Sequence, residues 1–127
     1  MLGYVMVGTN DLARASRYYD TLLAELGGKR EMESDSFIAW TFGDKTTSFS
    51  VITPFDGEAA TVGNGVMMAF AAPDPATVDK IHALALELGG VDEGAPGPRP
   101  DFDPNFYVGY FRDPDGNKLN IFHYPTS

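Results

Sequence analysis

Two stretches of the chain share one pattern of apolar and polar positions. "GYVMVGTNDLARASRYYDTLLAELGGKR" begins at Gly3, and "GVMMAFAAPDPATVDKIHALALELGGVDE" begins at Gly65. Each opens on an apolar run, passes through a turn carrying Asp, continues with apolar residues at helical spacing and closes on "ELGG". Gly3 to Gly65 and Glu25 to Glu87 are 62 residues apart, whereas Asp11 to Asp74 is 63, so the second unit is spaced differently by one residue inside. A repeat of this length predicts two structural modules.

The first helix is predicted near 11–26. Leu12, Ala15, Tyr19, Leu22, Leu23 and Leu26 form its stripe, Asn10 or Asp11 can cap it, and Gly27-Gly28 stops it. The second is predicted near 75–88, with Asp74 as cap, Pro75 at the first position, Val78, Ile81, Ala85 and Leu88 as stripe, and Gly89-Gly90 as stop. "SFIAWTF" and "TSFSVIT" read as strands after the first helix, as do "FYVGYF" and "KLNIF" after the second. Short strands are also expected around 29–32 and 90–93. The segment 54–65 links the modules. "DEGAPGPRPDFDPN" (92–105) is rich in Pro, Gly and Asp and is expected to be an irregular loop, long enough to be suspected of function.

Each module is therefore β-α-β-β-β, the first about 1–55 and the second about 65–127. One helix covers one face of a four-stranded sheet and leaves the other open. The expected fold is α+β: two tandem modules forming a curved mixed sheet around a cleft, with a ligand pocket in it.

Composition narrows the function. A chain of 127 residues makes one ordinary domain with a real core; 43% apolar and 21% charged residues are globular values. The net charge of −9 argues against nucleic acid or an anionic membrane as partner. Without cysteine there are no disulfides, thiolate catalysis or cysteine metal sites. No signal-peptide pattern and no apolar run of about 20 residues is seen. A cytoplasmic protein is expected.

"VGTNDLARASRYYDTLLAELGG", "MMAFAAPDPATVDKIHALALELGG" and "YFRDPDGNKLNIF" together resemble the vicinal oxygen chelate superfamily, which includes glyoxalase I, bleomycin-resistance proteins, fosfomycin-resistance enzymes and extradiol dioxygenases. Tyr18-Tyr19 stands where that family usually has Phe-Tyr, and the "F-x-D-P-D-G-N" run is almost unchanged. The resemblance implies four metal-ligand positions. They fall on Tyr4, on Ser48 or Ser50, on Met67 and on Asn120. None supplies a carboxylate or imidazole, so no metal and no cofactor are expected.

The two histidines have plainer readings. His82 is expected as a surface or helix-flank residue, and His123, three residues after Asn120, as a strand-end residue facing away from it. If Asn120 faces the pocket, Lys118 and Phe122 share its face. A five-residue connection, 113–117, would set Arg112 opposite Lys118 and Tyr110 opposite Asn120, with Val108 on the same wall. Tyr4, Met6, Met67, Ala69, Ser48 and Ser50 would complete it. The resemblance places Tyr110 at a substrate-contacting tyrosine of the fosfomycin-resistance branch. Arg112 and Arg99 are candidate anion anchors; the alternatives are a rim Arg112 paired with Asp113 or Asp115 and a solvated Arg99. Trp40 and Tyr107 read as core or interface.

Three functions follow. The chain is a metal-free binder of a small organic anion, like the bleomycin-resistance branch, and a homodimer is then expected. Alternatively it is a metal-independent isomerase or lyase using Tyr4, Tyr110, Arg112 and Asn120. The third option is a metal-dependent lyase or dioxygenase with displaced ligands from His123, Asp101 or Asp103.

Overall fold

Asp11 and Asp74 open the two helices by the same device. In the computed structural model, which describes residues 1–125, α1 spans Leu12–Ala24 and α2 spans Pro75–Glu87. The Asp11 carboxylate accepts from the Arg14 N–H at 3.0 Å, and that of Asp74 accepts from both the N–H and the hydroxyl of Thr77 at 2.7 Å. Each cap satisfies first-turn donors that have no partner inside the helix. After the helices, Gly27 at φ 77° and Gly89 at φ 113° take the left-handed conformation that glycine adopts most easily.

The chain divides into two compact units, residues 1–62 and a second beginning at Gly63. In the first, β1 (Tyr4–Gly8), β2 (Lys29–Glu33), β3 (Phe37–Thr41) and β4 (Ser48–Ile52) form a sheet of order β1-β4-β3-β2. The second repeats this with β5 (Met68–Ala71), β6 (Val91–Arg99), β7 (Asp103–Arg112) and β8 (Lys118–His123), in order β5-β8-β7-β6. In each sheet the first strand pairs parallel with the last, and the other pairs are antiparallel. The expected α+β architecture of two β-α-β-β-β modules is thus observed as two four-stranded mixed sheets.

Register locates the odd residue of the repeat. Val5 pairs with Phe49 as Met68 pairs with Leu119, so the first strands correspond at an offset of 63, as the caps do. The closing bonds of the helices, Gly28 N–H to Leu23 and Gly90 N–H to Ala85, correspond at 62. Both helices have 13 residues, so the second unit is shorter by one residue between the end of its helix and its glycine stop.

In the first unit α1 packs Tyr19 against Trp40 and Phe49, with ring centroids 5.7 and 4.8 Å apart. Trp40 is 1% exposed, and its indole N–H donates to Asp20 of α1 at 2.9 Å. The same carboxylate takes two bonds from Arg30 of β2, at 2.9 and 2.6 Å. In the second unit Val78, Ile81 and Ala85 of α2 are buried, as are Phe111 of β7 and Leu119 and Ile121 of β8. Each such large apolar side chain contributes roughly 1.5–3 kcal/mol.

The segment 92–105 is not an irregular loop. Most of it is a hairpin: β6 runs through Arg99, and β7 begins at Asp103. Pro96 and Pro98 are tolerated because β6 is an edge strand, paired only with β7, so a missing N–H need not break a ladder on both sides. Register shifts at Asp92/Gly94, Gly94/Gly97 and Pro98/Arg99 absorb the irregular spacing. The linker 54–65 has no strand or helix, and Asn10 ties it down, accepting from the Ala60 N–H at 2.7 Å. Among the described residues no helix is long and apolar enough to cross a membrane.

Asp20 makes the first unit sensitive to acid. The Arg30 guanidinium, aided by the Trp40 N–H, holds its carboxyl below the ordinary value against the effect of burial. A depressed native pKa gives stability that is complete above the unfolded value of about 4 and is lost as pH falls through the native value. Asp20 is partly exposed, so most of the cost of Asp20→Ala is the orphaned indole N–H, about 2 kcal/mol. Chemical denaturation at pH 7 should show this loss, and the gap to the parent protein should narrow below pH 4.

Candidate ligand-binding site

Strand alternation in β8 sorts its side chains. Leu119 and Ile121 are fully buried on the α2 side, and Lys118, Asn120 and Phe122 stand on the other face. The antiparallel register with β7 sets Arg112 opposite Lys118, Tyr110 opposite Asn120 and Val108 opposite Phe122. This is the pairing expected from a five-residue connection. The turn itself explains why the register cannot slip. The buried Asp113 carboxylate accepts from the N–H groups of Asp115 and Asn117 and from the Asn117 side chain at 2.9–3.0 Å, and Gly116 sits at φ 92°.

Tyr110 is the centre of this face. The Arg99 guanidinium and the Lys118 ammonium each lie 5.6 Å from its ring centroid, reaching it from the neighbouring strands β6 and β8. Arg99 donates to the carbonyls of Ala95, Gly97 and Pro98 at 2.9–3.2 Å, which folds its side chain back along its own strand. Among the described residues neither cation is paired with a carboxylate. Arg112 differs. Its Nε donates to Glu93 at 2.5 Å and its Nη1 to the Gly116 carbonyl at 2.9 Å, so its acidic partner is neither Asp113 nor Asp115.

Asn120 is 3% exposed. Its Nδ2 donates weakly to the Met67 sulfur at 3.6 Å, and its Oδ1 is buried without a hydrogen-bond partner. Met67, just before β5, is 41% exposed. Beyond Phe122 the face becomes aromatic: Phe106 lies 5.7 Å from Phe122, 6.4 Å from Tyr124 and 6.5 Å from Phe102. Tyr124 donates to Asp103 at 2.7 Å, which pushes the phenol above its ordinary pKa. The Asn105 N–H, then Tyr124, hold the Asp103 carboxyl below its own ordinary value.

In the first unit Tyr4 and Met6 of β1 are exposed and lie opposite Ser48 and Ser50. Register makes the buried Ser50, not Ser48, the counterpart of Asn120: Met6 pairs with Ser50 as Ala69 pairs with Asn120. Ser48 instead donates to Glu31 at 3.1 Å.

The other sequence candidates lie elsewhere. His82 is on the helix flank but is buried rather than at the surface, with Nε2 3.1 Å from both Asp92 and the Tyr110 carbonyl. The register shift after Asp92, beside its contact with His82, was invisible in the sequence. His123 faces away from Asn120 as expected, 3.0 Å from the Ala72 carbonyl. Tyr107 donates to Asp79 of α2 at 2.7 Å, and Trp40 is core. Glu93 and the group Phe102, Phe106 and Tyr124 escaped sequence reading. For Phe106 the signal was available, since it shares parity with Val108 and Tyr110.

A family model described as the Glyoxalase/Bleomycin resistance protein/Dioxygenase superfamily matches residues 1–121. A glyoxalase/bleomycin resistance protein from Albidiferax ferrireducens T118 is 38% identical, with a TM-score of 0.88 over 98% of this chain and 99% of that one. A glyoxalase/bleomycin resistance protein/dioxygenase family enzyme from Burkholderia phytofirmans PsJN, at 18% identity and TM-score 0.75, covers 97% of this chain and 98% of that one. The lactoylglutathione lyase of Agrobacterium tumefaciens, at 19% and 0.70, covers 97% and 92%. The last two likenesses show the fold alone. Among curated proteins no significant match is found.

Gly94 lets the ring and its cations close in. A Cβ there would meet Tyr110 Cδ2 at 3.2 Å and Arg99 Nη2 at 3.5 Å. Gly94 also stands at φ 158°, where a Cβ strains the backbone, so Gly94→Ala should displace the Tyr110 ring and cost roughly 1–3 kcal/mol of stability. Shifted Tyr110 ring resonances in a protein that still unfolds cooperatively would be the signature.

Proposed function

Because the chain belongs to the Glyoxalase/Bleomycin resistance protein/Dioxygenase superfamily, we propose that it binds a small organic anion, without a metal, on the face of the β5-β8-β7-β6 sheet away from α2. The observation that carries this reading is the pair Arg99 and Lys118 on either side of Tyr110. In a chain of net charge −9, two cations converge on one ring and no carboxylate of the described residues pairs with them. An anion at that ring would gain from both. Arg112 is expected to matter less as an anchor, because Glu93 already matches its charge.

In this reading Arg99 and Lys118 hold the charged group. The Tyr110 hydroxyl and the Asn120 amide orient it, and Phe122 with Phe106 receives the apolar part. Met67 remains a proposed contact; Tyr4, Met6 and Ser50 are proposed for the corresponding face of the first unit's own sheet. The donor set at the family's metal positions does not fit a divalent ion. A phenol, a hydroxyl, a thioether and a neutral amide offer no anionic oxygen and no imidazole. Among the described residues, no three His, Asp or Glu side chains are grouped to hold one either.

The test is a titration of isotopically labelled protein with benzoate, phenylacetate and their neutral amides. The acids should move the Tyr110, Lys118 and Asn120 resonances and the amides should not. Arg99→Ala and Lys118→Met should each weaken the acids roughly tenfold, about 1.4 kcal/mol. Equal binding of acids and amides, or full affinity in the double variant, would overturn the reading. Adding Mn²⁺, Ni²⁺ or Zn²⁺ should leave Asn120 unmoved; stoichiometric uptake that Asn120→Leu abolishes would defeat its metal-free part.

A further inference from the structure

Asn120 carries an acceptor that the fold does not use. Its side chain is on the same face as the cations and directly opposite Tyr110 in the ladder. The amide has two ends, and the Met67 thioether, an acceptor, takes the Nδ2 end. The carbonyl end is left buried and without a partner. Buried polar groups in folded proteins are nearly always satisfied, so one that is not calls for a donor from outside the chain. Asn120 is not held there by local necessity. Leucine or valine would suit an interior strand better than an amide with an idle oxygen.

Its neighbours define what surrounds that donor. Side chains two apart on one face of a strand stand about 6.6 Å apart. Along β8 they run cation, acceptor, aromatic ring: Lys118, Asn120, Phe122, with Phe106 packed on the last. A ligand lying along this row would present an anion first, a hydrogen-bond donor next and an apolar ring last. The donor is neutral, because an ammonium would be repelled by Arg99 and Lys118 beside it. Beside this amide, on its Nδ2 end, lies Met67, a flexible, unbranched side chain on no strand and 41% exposed, whose displacement would open the amide to a ligand. Its weak bond to Nδ2 is readily given up.

We propose that the ligand is an aromatic carboxylic acid with a hydroxyl group between ring and carboxylate, and that this hydroxyl donates to Asn120 Oδ1 once Met67 swings aside. The inference rests on the anion-binding reading above and adds the hydroxyl, the ring and the role of Met67.

Matched pairs of probes separate the two. Mandelate is compared with phenylacetate, and 3-phenyllactate with 3-phenylpropionate, by calorimetry and by amide-resonance titration; phenylalanine serves as the ammonium counterpart. The hydroxy acid of a pair should bind roughly tenfold tighter than its deoxy partner, and phenylalanine more weakly than either. Asn120→Leu should erase the difference within a pair, and Met67→Ala should widen it by opening the amide to the ligand. The two substitutions act in opposite directions, so a folding defect in one does not mimic the result. If hydroxy and deoxy acids bind the parent protein equally, the hydroxyl contact is wrong and the anion reading stands. A preference that survives Asn120→Leu places the donor's partner elsewhere and overturns the inference. Failure of every acid to bind overturns both.

Discussion

Each sheet of this protein has one helix, and one helix covers one face. That constraint organises the rest. With α2 seated on Phe111, Leu119 and Ile121, the period of two along β7 and β8 sends Tyr110, Arg112, Lys118, Asn120 and Phe122 to the opposite side. A shift of one residue would reverse every assignment, burying Lys118 and Asn120 under the helix and exposing Leu119. The Asp113 turn prevents the shift. Its carboxylate takes three hydrogen bonds in a buried position, and no other register preserves them.

The face so produced is chemically uneven. Arg112 is matched by Glu93 across the hairpin, a structural pairing that ties β6 to β7 where the ladder is shifted. Among the described residues, Arg99 has carbonyl groups and the Tyr110 ring for partners, and Lys118 has that ring. Carbonyl dipoles and a ring quadrupole stabilise a cation but do not neutralise it. The distinction between a spent cation and an available one decides which residues are candidates for binding. Spacing alone could not draw it, because Glu93 and Arg112 are 19 residues apart in the chain and meet only through an irregular hairpin.

On the other side of the sheet, the same alternation produces the core. In the first unit the carboxylate of Asp20 collects Trp40 and Arg30, joining helix, inner strand and edge strand through one acceptor. In the second unit the polar contact beneath the helix is made instead by His82, whose Nε2 lies 3.1 Å from both Asp92 and the Tyr110 carbonyl. The two units thus share topology and capping but not the polar chemistry under their helices. The repeat is a repeat of apolar period, cap and stop.

Most of the architecture was legible because it depends on local signals. Asp11 and Asp74 as caps, glycine pairs as stops, apolar stripes at helical spacing and the "DPDG" turn each act within a few residues, and the structure follows them. The family resemblance also rested on such motifs, and the match over residues 1–121 agrees with it. What the sequence could not determine was non-local. The stretch 92–105 looked like a loop because proline and glycine disfavour strands in general. Only the sheet order reveals that β6 is an edge, where a missing N–H is tolerated. Ser50 could not be separated from Ser48 until the parallel register of β1 with β4 was known. The burial of His82, the capture of Arg112 by Glu93 and the idle oxygen of Asn120 likewise depend on distances between strands that are adjacent in space and remote in sequence. Local rules fix which residues form an element and which way each one faces; which groups are then satisfied, and which are left for a ligand, is decided when the elements pack.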